Sequence, residues 1–74
     1  MSMLPTAKIT FEKGLSQEEK EQVCEKIGSL SGVFAPRALP GKDETYATMN
    51  GGAEVLREIK KIDGVKRAKF GNLL

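Results

Sequence analysis

The chain opens with an alternation of apolar and polar positions. Ala7, Ile9 and Phe11 are separated by single polar residues, and this period of two is typical of a strand that buries one of its faces. We therefore predict a first strand over residues 7–12, which ends before Gly14.

A helical period follows this strand. Ser16 and Glu19 have the spacing of a capping box, in which the serine oxygen accepts from the first turn and the glutamate reaches back to the cap. The helix is predicted to start at about Gln17 and to end at Gly28 or Gly32. Its buried stripe is predicted to be Val23, Ile27 and Leu30. Its solvent side is predicted to carry Glu18, Glu19, Lys20, Glu21, Glu25 and Lys26.

The middle of the chain is predicted to form a hairpin. Residues 33–39 have the composition of a second strand, which Pro36 restricts to a sheet edge because proline lacks a backbone donor. A third strand is predicted over residues 44–49. The turn between these strands consists of Pro40, Gly41, Lys42 and Asp43.

A second helix and a last strand complete the pattern. Asn50 is the predicted cap of the helix, which should stop at Asp63 and Gly64. Residues 65–70 are predicted to form the short final strand. The buried stripe of the helix is predicted to be Val55, Leu56, Ile59 and Ile62.

The order strand, helix, hairpin, helix, strand predicts an α+β fold of the ferredoxin-like β-α-β-β-α-β type. In that fold a four-stranded antiparallel sheet carries two helices on one face. We expect residues 1–74 to form a single small soluble domain. A chain of this length buries only roughly 60% of the surface that its unfolded state exposes, which leaves little room for a deep catalytic cleft.

Composition and charge narrow the possible partners. Twelve Lys and Arg residues against ten Asp and Glu give a net charge of +2, and the charges are interspersed, so we expect no nucleic-acid partner. No stretch approaches the roughly 20 apolar residues that cross a bilayer, so no membrane partner is expected. Residues 1–6 show no signal peptide. A cytoplasmic location and release from a precursor both remain open.

The side chains that usually carry catalysis are scarce. The sequence has no histidine, so the commonest general base is missing and we expect no enzymatic activity. The single cysteine, Cys24, is interpreted as a partly buried helix residue, and we expect neither a cofactor nor a metal. Gly51 and Gly52 are interpreted as a tight turn, although an anion site at a helix start has the same composition.

Five cations cluster near the end of the second helix and in the last strand. They fit either a helix C-terminus and a solvated strand face, or a site for an anionic partner. The five residues are Lys60, Lys61, Lys66, Arg67 and Lys69.

Two features of the chain carry a resemblance to a known family: residues 46–50, Tyr-Ala-Thr-Met-Asn, and the six-residue spacing from Ile59 in the helix to Val65 at the start of the last strand. They resemble the second half of the propeptides of subtilisin-type proteases and of the free-standing inhibitors related to them, and the resemblance spans nearly the whole chain. It implies a non-enzymatic inhibitor or intramolecular chaperone that binds a subtilisin-like serine protease. In that family the open sheet face packs on the protease while the C-terminal tail lies in the substrate groove.

The resemblance also implies which residues would touch the protease. Leu73 or Leu74 would fill the primary specificity pocket. The protease-binding tail would consist of Phe70, Gly71, Asn72, Leu73 and Leu74.

An alternative is kinship with the heavy-metal-associated domains, which the segments Gly14-Leu15-Ser16 and Leu30-Ser31-Gly32-Val33 resemble. Those domains bind soft metals through two cysteines on the first loop, and this chain has none there. The kinship would imply a protein-interaction or regulatory module without metal ligands. Because edge strands can pair between subunits, either a monomer or a weak dimer is expected.

Overall fold

The computed structural model describes residues 6–30, 32–34, 36–50 and 52–71. Three strands and two helices alternate along this part of the chain. In order, they are β1 (Thr6–Phe11), α1 (Gln17–Gly28), β2 (Glu44–Thr48), α2 (Ala53–Lys60) and β3 (Val65–Gly71). The domain is therefore α+β, as the sequence predicts.

The three strands form one antiparallel sheet in the order β2-β1-β3. Lys8, in the centre of β1, lies opposite Tyr46 of β2 and Lys69 of β3. The β1–β3 register shifts between Thr10 and Phe11, and Lys66 is the extra residue of this bulge. Lys69, Lys8 and Tyr46 form one row of cross-strand neighbours on the side of the sheet that faces away from the core.

One face of the sheet packs against both helices and forms the core. The predicted alternation of β1 is confirmed, because Ala7, Ile9 and Phe11 are all buried. Residues of both helices join them in a single apolar cluster. That cluster consists of Ala7, Ile9, Phe11, Val23, Cys24, Ile27, Ala47, Met49, Leu56, Ile59, Val65 and Ala68.

The expected four-stranded ferredoxin-like sandwich is wrong, because the sheet that the described residues form has three strands. Ala35 of the predicted second strand lies outside the described residues; the described part of that segment pairs only through the isolated bridge between Val33 and Met49, just beyond the end of β2. Pro36 is buried and has no N–H to donate to a ladder. After Pro36, the segment contacts β2 through a side chain: the Thr45 hydroxyl donates to the Arg37 carbonyl at 2.5 Å. The predicted hairpin is therefore a loop followed by a strand.

The turn before β2 has the predicted position. Gly41 adopts a φ of 74°, a conformation that glycine tolerates and that a type II turn after Pro40 requires. The Lys42 N–H donates to the Leu39 carbonyl at 3.1 Å and closes the turn.

The capping of α1 is confirmed in detail. The Glu19 N–H donates to Ser16 Oγ at 3.1 Å, and the Ser16 N–H donates to Glu19 Oε1 at 2.9 Å. Together these bonds satisfy two donors that a helix N-terminus otherwise leaves unpaired. The helix starts at Gln17 and ends at Gly28, as predicted.

The predicted cap of α2 is wrong. Gly52, not Asn50, is the cap residue, and it provides no side-chain hydrogen bond. Asn50 is held elsewhere, since its N–H donates to the Gly32 carbonyl at 2.7 Å. The helix also stops at Lys60, before the predicted end at Asp63 and Gly64.

Candidate binding surface

The second face of the sheet is left uncovered by the helices. Its side chains belong to the polar positions that alternate with the core positions in each strand. They are half-buried on the central strand and mostly exposed on the two outer strands. This surface, which we call the open face, consists of Thr6, Lys8, Thr10, Glu44, Tyr46, Thr48, Arg67 and Lys69.

Cations dominate the open face. Lys8 Nζ lies 3.2 Å from Glu44 Oε2, and both side chains are partly exposed. This ion pair neutralises one positive charge, while Arg67 and Lys69 on β3 add two more. The open face therefore carries an excess of positive charge around one aromatic ring, that of Tyr46, which is 38% exposed.

The sheet brings together only part of the predicted cation cluster. Arg67 and Lys69 lie on the open face beside Lys8. Lys60 and Lys61 lie instead at the end of α2, where Lys61 Nζ is 3.6 Å from Glu58 Oε1. Favourable interaction with the helix C-terminus explains these two, as one of the sequence interpretations proposes.

The start of the predicted protease-binding tail belongs to the sheet. Phe70 and Gly71 are the last two residues of β3, and Phe70 is 45% exposed. The remaining tail residues lie outside the described residues; they are Asn72, Leu73 and Leu74. Strand β3 thus contains residues of both: Arg67 and Lys69 belong to the open face, and Phe70 and Gly71 begin the tail.

Lys20 has a different place from the one that the sequence predicts. The helical pattern assigns it to the solvent side of α1, whereas the structure buries it to 6% exposure. Its Nζ donates to the Lys42 carbonyl at 2.7 Å and lies 3.0 Å from Asp43 Oδ1. A lysine stem packs well on apolar surface, and no pattern in the sequence indicates which partner its ammonium group will meet.

Cys24 is a buried, free thiol, as its helix position predicts. It contributes to the wall of an open recess of about 390 Å³ between α1 and the segment around Arg37. Burial raises the pKa of the Cys24 thiol, and the nearby Glu21 carboxylate raises this pKa further. The thiol is therefore held in its protonated form, which is a poor nucleophile.

Residues 6–30, 32–34, 36–50 and 52–71 include no cluster of three potential metal ligands. Within these same ranges, no helix is long and apolar enough to cross a bilayer.

The register of the strands brings the open face together, and the sequence alone does not reveal that register. Tyr46 and Lys8 are 38 positions apart, yet they form a cross-strand pair. The alternation in β1 predicts that Lys8 faces away from the core, but not which residues flank it.

The chain matches no protein-family model, and no curated protein or solved structure shows significant similarity to it. The part of the chain that the structure describes is a small α+β domain with a three-stranded antiparallel sheet and two helices.

Proposed function

We propose that this protein is a non-enzymatic inhibitor, or a chaperone-like module, that binds a subtilisin-type serine protease. The open face docks on the protease surface, and the tail that continues β3 lies in the substrate groove. The observation that carries this proposal is the uncovered sheet face, whose outer strand β3 leads directly into the tail.

The size of the open face explains why a second contact is needed. Three strands at a spacing of about 4.8 Å and a rise of about 3.4 Å per residue give a footprint of only about 300 Å². A standard interface buries about 800 Å² on each partner. The accessible surface of a patch exceeds its flat footprint, but a patch of this size still supplies only part of such an interface, so a tail that occupies a groove supplies the remaining contact.

The chemistry of the open face suits recognition. Tyr46 offers a half-exposed ring, and tyrosine is enriched among the residues that contribute most to interfaces. Lys8, Arg67 and Lys69 accelerate encounter with an acidic surface. The protein has no histidine, and the Cys24 thiol is protonated and buried. Binding without catalysis is the activity that these groups support.

Deletion of residues 72–74 tests the tail. Burial of one leucine side chain contributes roughly 1.5–3 kcal/mol, so loss of the pocket-filling residue is expected to weaken inhibition about 10- to 150-fold. The full chain and the truncated chain are assayed against a panel of subtilisin-type proteases, with circular dichroism as the control for folding. Equal inhibition by both chains would contradict the role of the tail.

A second candidate is an interaction module that binds an acidic protein without blocking an active site. The excess of cations on the open face favours this candidate. The two functions separate in one experiment, because such a module inhibits none of the proteases at micromolar concentration.

A further inference from the structure

The two outer edges of the sheet differ in how their backbone groups are used. Along β2, the Phe34 N–H donates to the Thr48 carbonyl at 2.9 Å, and Thr45 bonds to Arg37. The loop before β2 therefore covers much of that edge. Along β3, within the described part of the chain, only β1 pairs with the strand.

The direction of the free backbone groups follows from two hydrogen bonds of β1. On the β2 side, the Phe11 N–H donates to the Asp43 carbonyl at 2.7 Å. On the β3 side, the Glu12 N–H donates to the Gly64 carbonyl at 2.8 Å. The backbone N–H and C=O groups of successive residues in a strand point to opposite neighbouring strands. The backbone groups of Lys8 therefore point to β3, like those of Glu12, and pair there with Lys69.

The backbone groups of Lys69 therefore point to β1, and those of the residues on either side of it must point away from β1. Ala68 and Phe70 consequently direct their N–H and C=O groups to the outer edge of β3. This outer edge of β3, centred on Ala68 and Phe70, is called the free edge below.

The charged residues along the free edge are all cations, and they determine which kind of strand can pair with it. Lys66, Arg67 and Lys69 are its charged residues, and β3 has no acidic residue. In an antiparallel pairing of two copies centred on Ala68, Arg67 would lie opposite Lys69, and like charges in that position are destabilising. The free edge therefore disfavours self-pairing, a common function of lysines on edge strands, while the same charges attract an acidic strand.

We propose that the free edge of β3 binds an extended acidic peptide segment as a fourth strand of the sheet. Main-chain hydrogen bonds at Ala68 and Phe70 provide the affinity, and carboxylates opposite Arg67 and Lys69, which share the open face, provide the selectivity. This proposal rests on the sheet edge and is independent of the protease assignment.

A pair of variants at one position tests the backbone contact. Phe70→Pro and Phe70→Ala both remove the ring, but only Phe70→Pro removes the outward N–H, and edge strands tolerate proline at such a position. The probe is a fluorescein-labelled ten-residue peptide of alternating Glu and Val. Because one hydrogen bond contributes modestly, Phe70→Pro is expected to bind it about 2- to 12-fold more weakly than Phe70→Ala. Equal affinity of the two folded variants would overturn the proposal.

Amide hydrogen exchange of the unaltered protein provides a second measurement that does not depend on the folding of any variant. In the free protein, the amides of Ala68 and Phe70 should exchange faster than that of Lys69, which is bonded to β1. Addition of the Glu-Val peptide should slow exchange at Ala68 and Phe70. Unchanged exchange at both amides under saturating peptide would overturn the proposal.

Two further ligands test the selectivity. A Lys-Val peptide of the same length should bind at least tenfold more weakly than the Glu-Val peptide, and comparable affinity would contradict the charge argument. An oligodeoxythymidylate tests for general attraction of polyanions. If it slowed exchange at Ala68 and Phe70 as much as the Glu-Val peptide does, strand addition would be excluded.

Discussion

The ammonium group of Lys20 donates a 2.7 Å hydrogen bond to the main-chain carbonyl of Lys42, 22 residues further along the chain. This bond connects the first turn of α1 to the end of the loop that precedes β2. The contact therefore fixes the turn before β2 against the start of α1. Lys20 is thus a structural residue, although its type and position are those of a solvated helix face.

Replacement of Lys20 tests this connection. Lys20→Met keeps most of the apolar stem but removes the donor, and hydrogen bonds to charged groups contribute about 1.5–3 kcal/mol. We therefore expect a loss of about 1–3 kcal/mol in the free energy of unfolding, measured by urea denaturation. Asp43→Asn should cost less than about 1 kcal/mol, because the Asp43 carboxylate is 64% exposed. Equal losses would mean that the ion pair, not the carbonyl bond, holds the loop.

The capping box of α1 predicts a dependence on acid. Hydrogen bonds from the backbone and side chain of Ser16 hold the pKa of Glu19 below its ordinary value of 4.5. A lowered pKa means that the ionised carboxylate stabilises the folded state above about pH 4.5. This contribution is lost as the pH falls through the lowered pKa.

Unfolding curves between pH 2 and pH 7 measure this effect. Glu19→Gln should lose stability relative to the unaltered protein at neutral pH, and the difference should vanish at the acid end. Ser16→Ala should cost about 0.5–2 kcal/mol at neutral pH and should make stability less dependent on pH. A constant difference between Glu19→Gln and the unaltered protein across this range would contradict the assignment.

The missing side-chain cap of α2 predicts a stabilising substitution. Gly52 has an extended backbone, and apart from its two chain neighbours no heavy atom of the described residues lies within 4 Å of the position where a Cβ would stand. Gly52→Ser should raise stability by about 0.5–1 kcal/mol, since serine caps the helix and restricts the unfolded chain. Thermal unfolding measures the gain.

A contrasting glycine is the control for Gly52. Gly64 has a φ of 97°, and an added Cβ would lie 2.7 Å from Val23 Cγ2. Gly64→Ala should therefore destabilise the domain by about 1–3 kcal/mol. A stabilising effect at Gly64, or a loss at Gly52, would show that the turn before β3 or the start of α2 differs from this description.

Local patterns are sufficient to predict most of the elements. The spacing of Ala7, Ile9 and Phe11 locates β1, and Ser16 with Glu19 locates the start of α1, because each signal lies within one turn or one strand. The second expected strand fails for a different reason. Its apolar residues favour a strand, but Pro36 interrupts the ladder, and whether a neighbouring strand tolerates that loss depends on tertiary contacts.

The candidate surface is less predictable than the fold. The cross-strand pairing of Lys8 with Tyr46 and Lys69 depends on the registers of β1 with both of its neighbouring strands, and a slip of either register by one residue would invert the face of every side chain in the slipped strand. The burial of Lys20 depends likewise on a loop 22 residues away. Both features arise from register and packing, which no short stretch of sequence encodes.

The proposed docking of the open face on a protease is measured by the inhibition constant for a subtilisin-type protease, compared between two variants of matched design. Tyr46→Ala alters the open face, whereas Gln22→Ala alters an exposed position on α1, which packs on the opposite side of the sheet. We predict inhibition by the full chain at or below micromolar concentration, a loss of at least tenfold for Tyr46→Ala, and a change of less than about twofold for Gln22→Ala. Absence of inhibition by the full chain across the protease panel, with the fold intact by circular dichroism, would contradict the proposed docking.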